Sequence, residues 1–164
     1  LNKTFLFMQD DFVLFDFPDW ELIGHLSRTL ETRRCGFIRL VPSGHQTPSP
    51  ELEELMGHEF VRVNPTSSYH HSWQATLWKK KSFFLINFLA RPYSIRDENS
   101  RRHRRVMSRL KIRGIASTSV LLPYVQTAIR GGKWDYRASV GGQLLPQLLK
   151  DYGIDPSIRG LRGS

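Results

Sequence analysis

The basic residues of this chain are concentrated in its C-terminal part. Residues 1–100 carry 11 Lys and Arg against 12 Asp and Glu, whereas residues 101–164 carry 13 against 3. A charge distribution this uneven needs either an anionic partner or constant solvation. The phosphates of DNA or RNA are the commonest such partner, and the alternative is a basic surface without a specific ligand.

Size and composition allow a folded protein of one domain or two small ones. The chain has 164 residues, of which 40% are hydrophobic and 12% aromatic, enough for a packed core. No apolar run approaches the roughly 20 residues that a membrane span needs, and the opening residues turn acidic too early for a signal peptide. The single Cys35 cannot form an intramolecular disulfide, which favours the cytosol or the nucleus.

The spacing of apolar residues predicts a mainly α chain. Asp19 is a plausible N-cap for a helix over residues 20–33. Two short strands, at residues 37–41 and 60–63, are expected to pair with each other. Further helices are expected over residues 51–56, 68–89, 120–129, 143–152 and 158–162. These elements suggest a small α/β unit with a linker at 1–65 and a helical domain at 66–164, with a polar, mobile insertion at 92–109.

Two runs of positive charge have alternative interpretations. The arginines of residues 101–105 are too dense to neutralise one another, so they form either a nucleic-acid arm or a disordered linker with incidental charge. The lysines of residues 79–81 form either a solvated helical face or a patch that faces phosphate.

Motifs for catalysis or metal binding are not found. The chain has no Gly-rich phosphate loop, no nucleophile elbow and no zinc-protease motif. His70 and His71 are adjacent, so on a helix they would point about 100° apart and could not easily share a metal. Two neighbouring arginines could lower the pKa of Cys35, although a lone Cys before a strand is more often a core residue. We therefore expect no catalytic residue, no metal and no cofactor.

Three segments in sequence order resemble a known arrangement. The first, from Phe17 to Ser43, resembles the JmjN domain, with an aromatic-x-Asp start, a helix and a strand between Gly and Pro. Its matching positions are Phe17, Asp19, Gly36, Ile38, Arg39, Leu40 and Pro42. The second is RVNP at residues 62–65 with the helix that follows, which is similar to the segment that joins JmjN to the first ARID helix.

The third segment resembles the ARID helix-turn-helix core. It comprises LKIRGIASTSVLLPYVQTAIRGG at residues 110–132 and LLPQLLKDYGIDPSIRGLR at residues 144–162. The order JmjN then ARID is that of JARID-type Jumonji proteins, which act on histone lysine methylation. The resemblance implies a small α/β JmjN-like unit followed by a helical ARID-like bundle. It also implies a transcription regulator in the nucleus that acts on chromatin, without the JmjC domain that carries demethylase activity.

The basic residues of the ARID-like half are the predicted binding site. The predicted nucleic-acid-binding residues are Arg101, Arg102, Arg104, Arg105, Arg109, Lys111, Arg113, Arg130, Lys133, Arg137, Lys150 and Arg159. Because these groups suit phosphate more than base edges, we expect weak, salt-sensitive binding to duplex DNA with little sequence preference. Two alternatives are a scaffold that docks a nucleosome or a subunit of a histone-modifying (deacetylase or demethylase) complex, and a fragment of an unrelated enzyme.

Overall fold

A six-stranded mixed β-sheet dominates the fold, so the protein is α/β and the prediction of a mainly α chain is wrong. The computed structural model of the chain describes residues 3–8, 13–42, 52–63, 74–91, 101–125, 128–130, 133–136 and 142–160. The chain divides into two compact units, the first formed by residues 1–8 and 19–122 and the second by residues 9–18 and 123–164. Residue 65, the predicted boundary, lies inside the first unit.

The described residues form four α-helices and ten short strands. The helices are α1 (Trp20–Thr32), α2 (Lys80–Leu89), α3 (Arg101–Arg109) and α4 (Leu145–Asp151). The strands are β1 (Thr4–Phe7), β2 (Val13–Leu14), β3 (Phe37–Arg39), β4 (Leu52–Leu55), β5 (His58–Arg62), β6 (Thr76–Lys79), β7 (Gly114–Ser117), β8 (Tyr124–Val125), β9 (Ile129–Arg130) and β10 (Lys133–Trp134).

The sheet of the first unit has the strand order β1-β6-β3-β7-β5-β4. Neighbouring strands are antiparallel except β3 and β7, which run parallel with Phe37 opposite Gly114. Parallel strands need a long connection, and the chain between β3 and β7 supplies it with β4, β5, β6, α2 and α3. The strands that we expected to pair, β3 and β5, are separated by β7.

Helices cover both faces of this sheet. The Phe83 ring of α2 packs against Phe5 and Phe7 of β1, with ring centroids 5.0 and 5.6 Å apart. Side chains alternate along a strand, so Thr4 of β1 points to the other face. There its hydroxyl lies 2.5 Å from the Ser27 hydroxyl of α1. The first unit therefore has three layers, with α1 on one face of the sheet and α2 on the other.

The core between the sheet and helices α2 and α3 is rich in aromatic side chains. Its buried members are Phe37, Val61, Val63, Trp78, Ile86, Met107 and Ala116. The Phe37 and Trp78 rings are 4.7 Å apart between centroids. Arg39, two residues along β3, is only 1% exposed, and its guanidinium lies 5.9 Å from the centroid of the Phe37 ring as a cation–π contact.

Local sequence signals account for α1. The Asp19 side chain accepts a hydrogen bond from the Leu22 amide at 2.9 Å, which confirms the predicted N-cap. Ile23, Leu26 and Leu30 are buried at helical spacing. The helix ends at Thr32, because Arg33 takes an extended conformation before β3.

The helix expected at residues 51–56 is wrong, because residues 52–55 form β4 of a hairpin with β5. Burial alternates along β4, as it does in a strand with one covered face. Met56 and Gly57 both have positive φ, 56° and 75°, which is the requirement of a two-residue type I′ turn. Glutamates in β4 concealed this strand, since they favour helix over sheet.

Two further helix predictions fail because a buried strand and a buried helix segment show similar apolar runs. Within the helix expected at 68–89, residues 76–79 are β6, a central strand buried on both faces, and only 80–89 are helical. Residues 68–73 lie outside the described residues. In place of the helix expected at 120–129, the chain forms β8 and β9. Leu121 and Leu122 are buried there without helical structure.

The insertion expected at residues 92–109 is helical in its second half, where α3 spans Arg101–Arg109. Its first part, residues 92–100, lies outside the described residues. Near the C-terminus the expected helix at 158–162 is instead a 3₁₀ turn over Pro156–Ile158, while residues 161–162 are not described.

The second unit contains two small ladders and one helix. β2 pairs with β8, β9 pairs with β10, and α4 matches most of the helix predicted at residues 143–152. Its core consists of Val125, Ala128, Trp134, Leu145 and Leu149. The Tyr152 hydroxyl donates to the carbonyl of Leu14 at 3.2 Å, which ties α4 to the β2 strand.

Candidate anion-binding surface

Helix α3 is anchored to the first unit by one narrow face. His103 and Met107, one turn apart, are its buried residues. His103 Nε2 lies 3.4 Å from Asn87 Oδ1 of α2, and the Asn87 amide donates to the Phe83 carbonyl at 2.8 Å. Met107 belongs to the aromatic core. These contacts determine which side of the basic helix faces away from the protein.

The outward side of α3 is an arginine stripe. Arg101, Arg105 and Arg109 follow one another at successive turns and are exposed. None of these three side chains makes a hydrogen bond or ion pair with a described residue. Like charges at this spacing each destabilise a helix by about 0.2–0.5 kcal/mol. An anion along the stripe would remove that repulsion.

The loop after α3 continues the basic surface. Lys111 has a φ of 51°, and the amides of Lys111 and Ile112 donate to the carbonyls of Ser108 and Met107 at 3.1 and 2.9 Å. This is a Schellman C-cap, with lysine at the left-handed position that glycine usually occupies. Lys111 and Arg113 are exposed on either side of the half-buried Ile112. Two cations therefore follow the arginine stripe directly.

A cleft of about 290 Å³ opens where this loop meets the sheet. We call it the arginine cleft, and its lining residues are Arg33, Arg34, Cys35, Glu53, Arg62, Arg113, Gly114 and Ile115. The end of α1, the starts of β3, β4 and β7, and the end of β5 converge there. The Gly36 amide donates to the Arg113 carbonyl at 2.7 Å, which holds the loops before β3 and β7 together.

The described residues that line the cleft carry an excess of positive charge, with four arginines against one glutamate. Arg33 and Glu53 form an ion pair, and their side chains are 34% and 31% exposed. Lys79 lies nearby, since its ammonium donates to the Arg33 carbonyl. Arg34 and Arg113 are exposed and make no side-chain hydrogen bond or ion pair within the described part of the chain. Two guanidinium groups are thus open to an incoming anion.

Burial raises the pKa of the Cys35 thiol, although the positive charges of Lys79 and Arg33 act in the opposite direction. Arg33 does act to lower this pKa, as the sequence suggested that a neighbouring arginine could, but desolvation of the thiolate outweighs its attraction and the net shift is upward. Cys35 is a half-buried, protonated thiol at neutral pH and not an activated nucleophile.

The predicted binding residues fall into two groups. The first unit holds Arg101, Arg102, Arg104, Arg105, Arg109, Lys111 and Arg113, along α3 and its loop. The second unit holds Arg130, Lys133, Arg137, Lys150 and Arg159. Lys133 and Lys150 are exposed, the guanidinium of Arg159 lies 6.0 Å from the centroid of the Trp134 ring, and Arg137 lies outside the described residues.

Sequence reasoning missed the other arginines of the cleft. The arginines beside Cys35 enter the sequence predictions only through the pKa of that thiol, and Arg62 enters them only in a strand and in the RVNP motif. The available signal was the adjacency of Arg33 and Arg34 to Cys35 and to the start of β3. It could not be used without knowing that β3 and β7 are neighbours.

No family model, curated protein or solved structure matches the chain. The resemblance to the JmjN–ARID arrangement therefore stays a prediction from short motifs. The helix-turn-helix fold that it implied is wrong, because residues 114–117 form a central strand of the six-stranded sheet and residues 124–125 form a strand of a two-stranded ladder. Among the described residues, no helix is long and apolar enough to cross a membrane, and no group of His, Cys, Asp and Glu could hold a metal ion.

Proposed function

We propose that this protein is a non-catalytic module that binds duplex DNA through phosphate contacts made by α3 and the loop that follows it. The observation that carries this proposal is the anchoring of α3 by His103 and Met107, which leaves a stripe of arginines directed outward. Residues 101–113 contain seven Lys and Arg and no Asp or Glu. A chromatin regulator in the nucleus is the setting that the motif resemblance suggests for such a module.

The type of contact follows from the side chains. Arg and Lys reach phosphate oxygens readily, whereas the exposed face of α3 has no Asn or Gln to read adenine. We therefore expect little sequence preference. Six exposed cations on α3 and its loop would give a log–log salt slope of about −5 and a loss on the order of 10³-fold in affinity between about 50 and 200 mM salt.

The test is fluorescence anisotropy of a labelled mixed-sequence duplex over this range of salt. The triple variant Arg101→Ala, Arg105→Ala, Arg109→Ala should lower the salt slope by about 2–3, since each lost phosphate contact removes about 0.9. Arg28→Ala removes an exposed arginine from α1, outside this surface, and should leave the slope unchanged. The proposal would be contradicted if the affinity of wild type for the duplex did not change with salt concentration, or if the triple variant and wild type had equal salt slopes.

A second candidate function, docking of a protein, is favoured by the exposed face of α2. Phe84 and Phe88 lie one helical turn apart and are 65% and 63% exposed, and Leu89 is 49% exposed. Large apolar side chains grouped on a surface often mark a site of protein interaction. This reading makes the module a scaffold for a subunit of a histone-modifying complex.

The two functions can be separated by matched variants. Phe84→Ser with Phe88→Ser should abolish retention of a protein partner while leaving the DNA salt slope intact. The triple arginine variant should reduce the magnitude of the DNA salt slope and leave retention of the protein partner intact. Retention of the same partner by wild type and by the phenylalanine variant at equal yield would exclude docking through α2.

A further inference from the structure

The arginine cleft differs from the arginine stripe of α3 because it is concave and its arginines come from separate elements. Arg34 follows α1, Arg62 ends β5 and Arg113 precedes β7, yet all three line one space. Hydrogen bonding between Gly36 and Arg113 fixes the distance between two of its walls. The fold thus brings together guanidinium groups that the chain separates widely.

The lining residues select the chemistry of a ligand. Guanidinium groups present planar pairs of donors that match the oxygens of phosphate. None of the described residues that line the cleft is aromatic, so they offer a nucleobase no surface to stack on. Its volume of about 290 Å³ lies at the lower end of ligand pockets. These features suit a single phosphate group better than a whole nucleotide.

The charge of the cleft further favours a terminal phosphate. A phosphate monoester carries a charge of about −1.5 to −2 at neutral pH, against −1 for each phosphate within a strand. Glu53 neutralises Arg33 by their ion pair, whereas Arg34 and Arg113 have no such partner within the described part of the chain. A doubly charged phosphate therefore interacts more favourably with these arginines than an internal phosphodiester does. A concave site also suits a chain end better than a strand that must enter and leave.

We propose that the arginine cleft binds a phosphomonoester group, and that this group is the terminal phosphate of a DNA strand held along α3. The second part rests on the proposed function. The path between the two surfaces is short, because Arg109 ends α3 and Arg113 lines the cleft. Four residues reach at most about 14 Å, which corresponds to the rise of about four base pairs along the axis of a duplex.

Cys35 provides a direct report on occupancy, because it lines the cleft and is the only cysteine of the chain. A phosphate dianion beside the sulfur disfavours the thiolate, which is the form that reacts with alkylating reagents. Inorganic phosphate should therefore slow alkylation of Cys35 by the neutral reagent iodoacetamide. A rise of one pKa unit would slow the reaction about tenfold below the pKa. Sodium chloride at matched ionic strength is the control.

Variants identify the groups responsible. Arg34→Ala and Arg113→Ala should each weaken phosphate protection of Cys35 by about tenfold, as expected for the loss of a charge-assisted hydrogen bond. Both side chains are exposed, so the fold should survive, which circular dichroism checks. Glu53→Gln should strengthen protection, since it removes the negative charge that pairs with Arg33. Arg28→Ala is the matched control, and in this variant phosphate should protect Cys35 as well as it does in wild type.

The source of the phosphate is tested with three versions of one duplex, ending in hydroxyls, in 5′-phosphates or in 3′-phosphates. We expect one phosphorylated version to bind about tenfold more tightly than the hydroxyl version and to protect Cys35. Protection by inorganic phosphate with equal binding of all three duplexes would support a site for free phosphomonoesters and overturn the assignment to DNA ends.

The experiments distinguish a failure of the proposal about the cleft from a failure of the proposed function. If neither inorganic phosphate nor any duplex protects Cys35, the inference about the cleft is overturned, and the salt slope still reports on DNA binding by α3. If no duplex binds at all but phosphate protects Cys35, the cleft is a phosphate site and the proposed function falls.

Discussion

Replacing Lys111 by glycine should raise the stability of the first unit and at the same time lower its affinity for DNA. Lys111 has a φ of 51°, in the left-handed region that side chains with a Cβ atom avoid. This conformation costs a non-glycine residue about 1–2 kcal/mol. Glycine is more flexible in the unfolded chain, which offsets about 0.5–1 kcal/mol of the gain. The expected net stabilisation is therefore about 0.5–1 kcal/mol.

The same substitution removes one cation from the loop after α3. If Lys111 contacts a phosphate, the log–log salt slope for duplex binding should fall by about 0.9. Urea denaturation measures the first effect, and anisotropy over a range of salt measures the second. A gain in stability together with a loss of binding would indicate that lysine is kept at this position for its charge.

Met56 offers a matched control because its φ of 56° is nearly the same as that of Lys111. It lies in the turn between β4 and β5 and carries no charge. Met56→Gly should therefore stabilise the fold by a similar amount without changing the salt slope. Lys111→Asn, which tolerates the left-handed region, should lose the phosphate contact without destabilising the cap. Destabilisation by Lys111→Gly would refute the conformational argument, and an unchanged slope would refute the phosphate contact.

Three further predictions concern the fold and the cleft. Gly114→Ala should destabilise the first unit by about 1–3 kcal/mol or more in urea denaturation, because its Cβ would lie 2.1 Å from the Phe37 ring, and Phe37→Leu in the same chain should recover part of the loss. Asp19→Ala should cost about 1 kcal/mol in the same assay by removing the N-cap of α1, whereas Asp19→Ser should cost little. Cys35 alkylation should reach half its maximal rate at higher pH in the folded protein than in urea, because burial raises its pKa above the ordinary 9.0. The pKa of Cys35 is higher in the folded protein than in the unfolded chain, so the contribution of the neutral thiol to the free energy of unfolding is present in full below pH 9.0. That contribution is lost as the pH rises through the pKa of the folded state. Equal pH profiles in the two states would contradict this.

Elements specified by nearby residues were predictable from the sequence. Asp19 and the apolar spacing after it define α1, and the Leu-rich run at residues 144–149 defines most of α4. The strand at residues 37–39 also follows from its local composition. In each of these cases the signal and the element occupy the same stretch of chain, so no knowledge of a distant partner is needed.

The six-stranded sheet was not predictable in the same way because its pairings join distant residues. β6 pairs with both β1 and β3, so it lies inside the sheet, and the helices on the two faces of the sheet bury Thr76, Leu77 and Trp78 consecutively. A strand buried on both faces loses the alternation that marks a strand in the sequence. β7 is similarly concealed, since its four residues are all buried and directly follow a basic helix and loop.

The two parts of the candidate site differ in the same way, since one is contiguous in the sequence and the other is assembled by strand pairing. The arginines of α3 are contiguous in sequence, so their density alone indicated a binding surface. The arginine cleft takes its residues from four separate stretches of chain, and only the neighbouring positions of β3, β5 and β7 bring them together. Charge counting along a sequence finds linear clusters and cannot find those that a sheet assembles.

Packing in the sheet and the geometry of the cleft depend on the same two glycines. A Cβ on Gly114 would meet the Phe37 ring at 2.1 Å, and one on Gly36 would meet the Ile112 side chain at 2.6 Å. The absence of side chains at both positions lets β3 and β7 approach as a parallel pair, with the Gly36 amide bonded to the Arg113 carbonyl. Arg34 and Arg113 each lie within two residues of one of these glycines, so the approach that packs the core also brings the two guanidinium-bearing loops to one cleft. A substitution that separates β3 from β7 should therefore impair phosphate protection of Cys35 even where the protein stays folded.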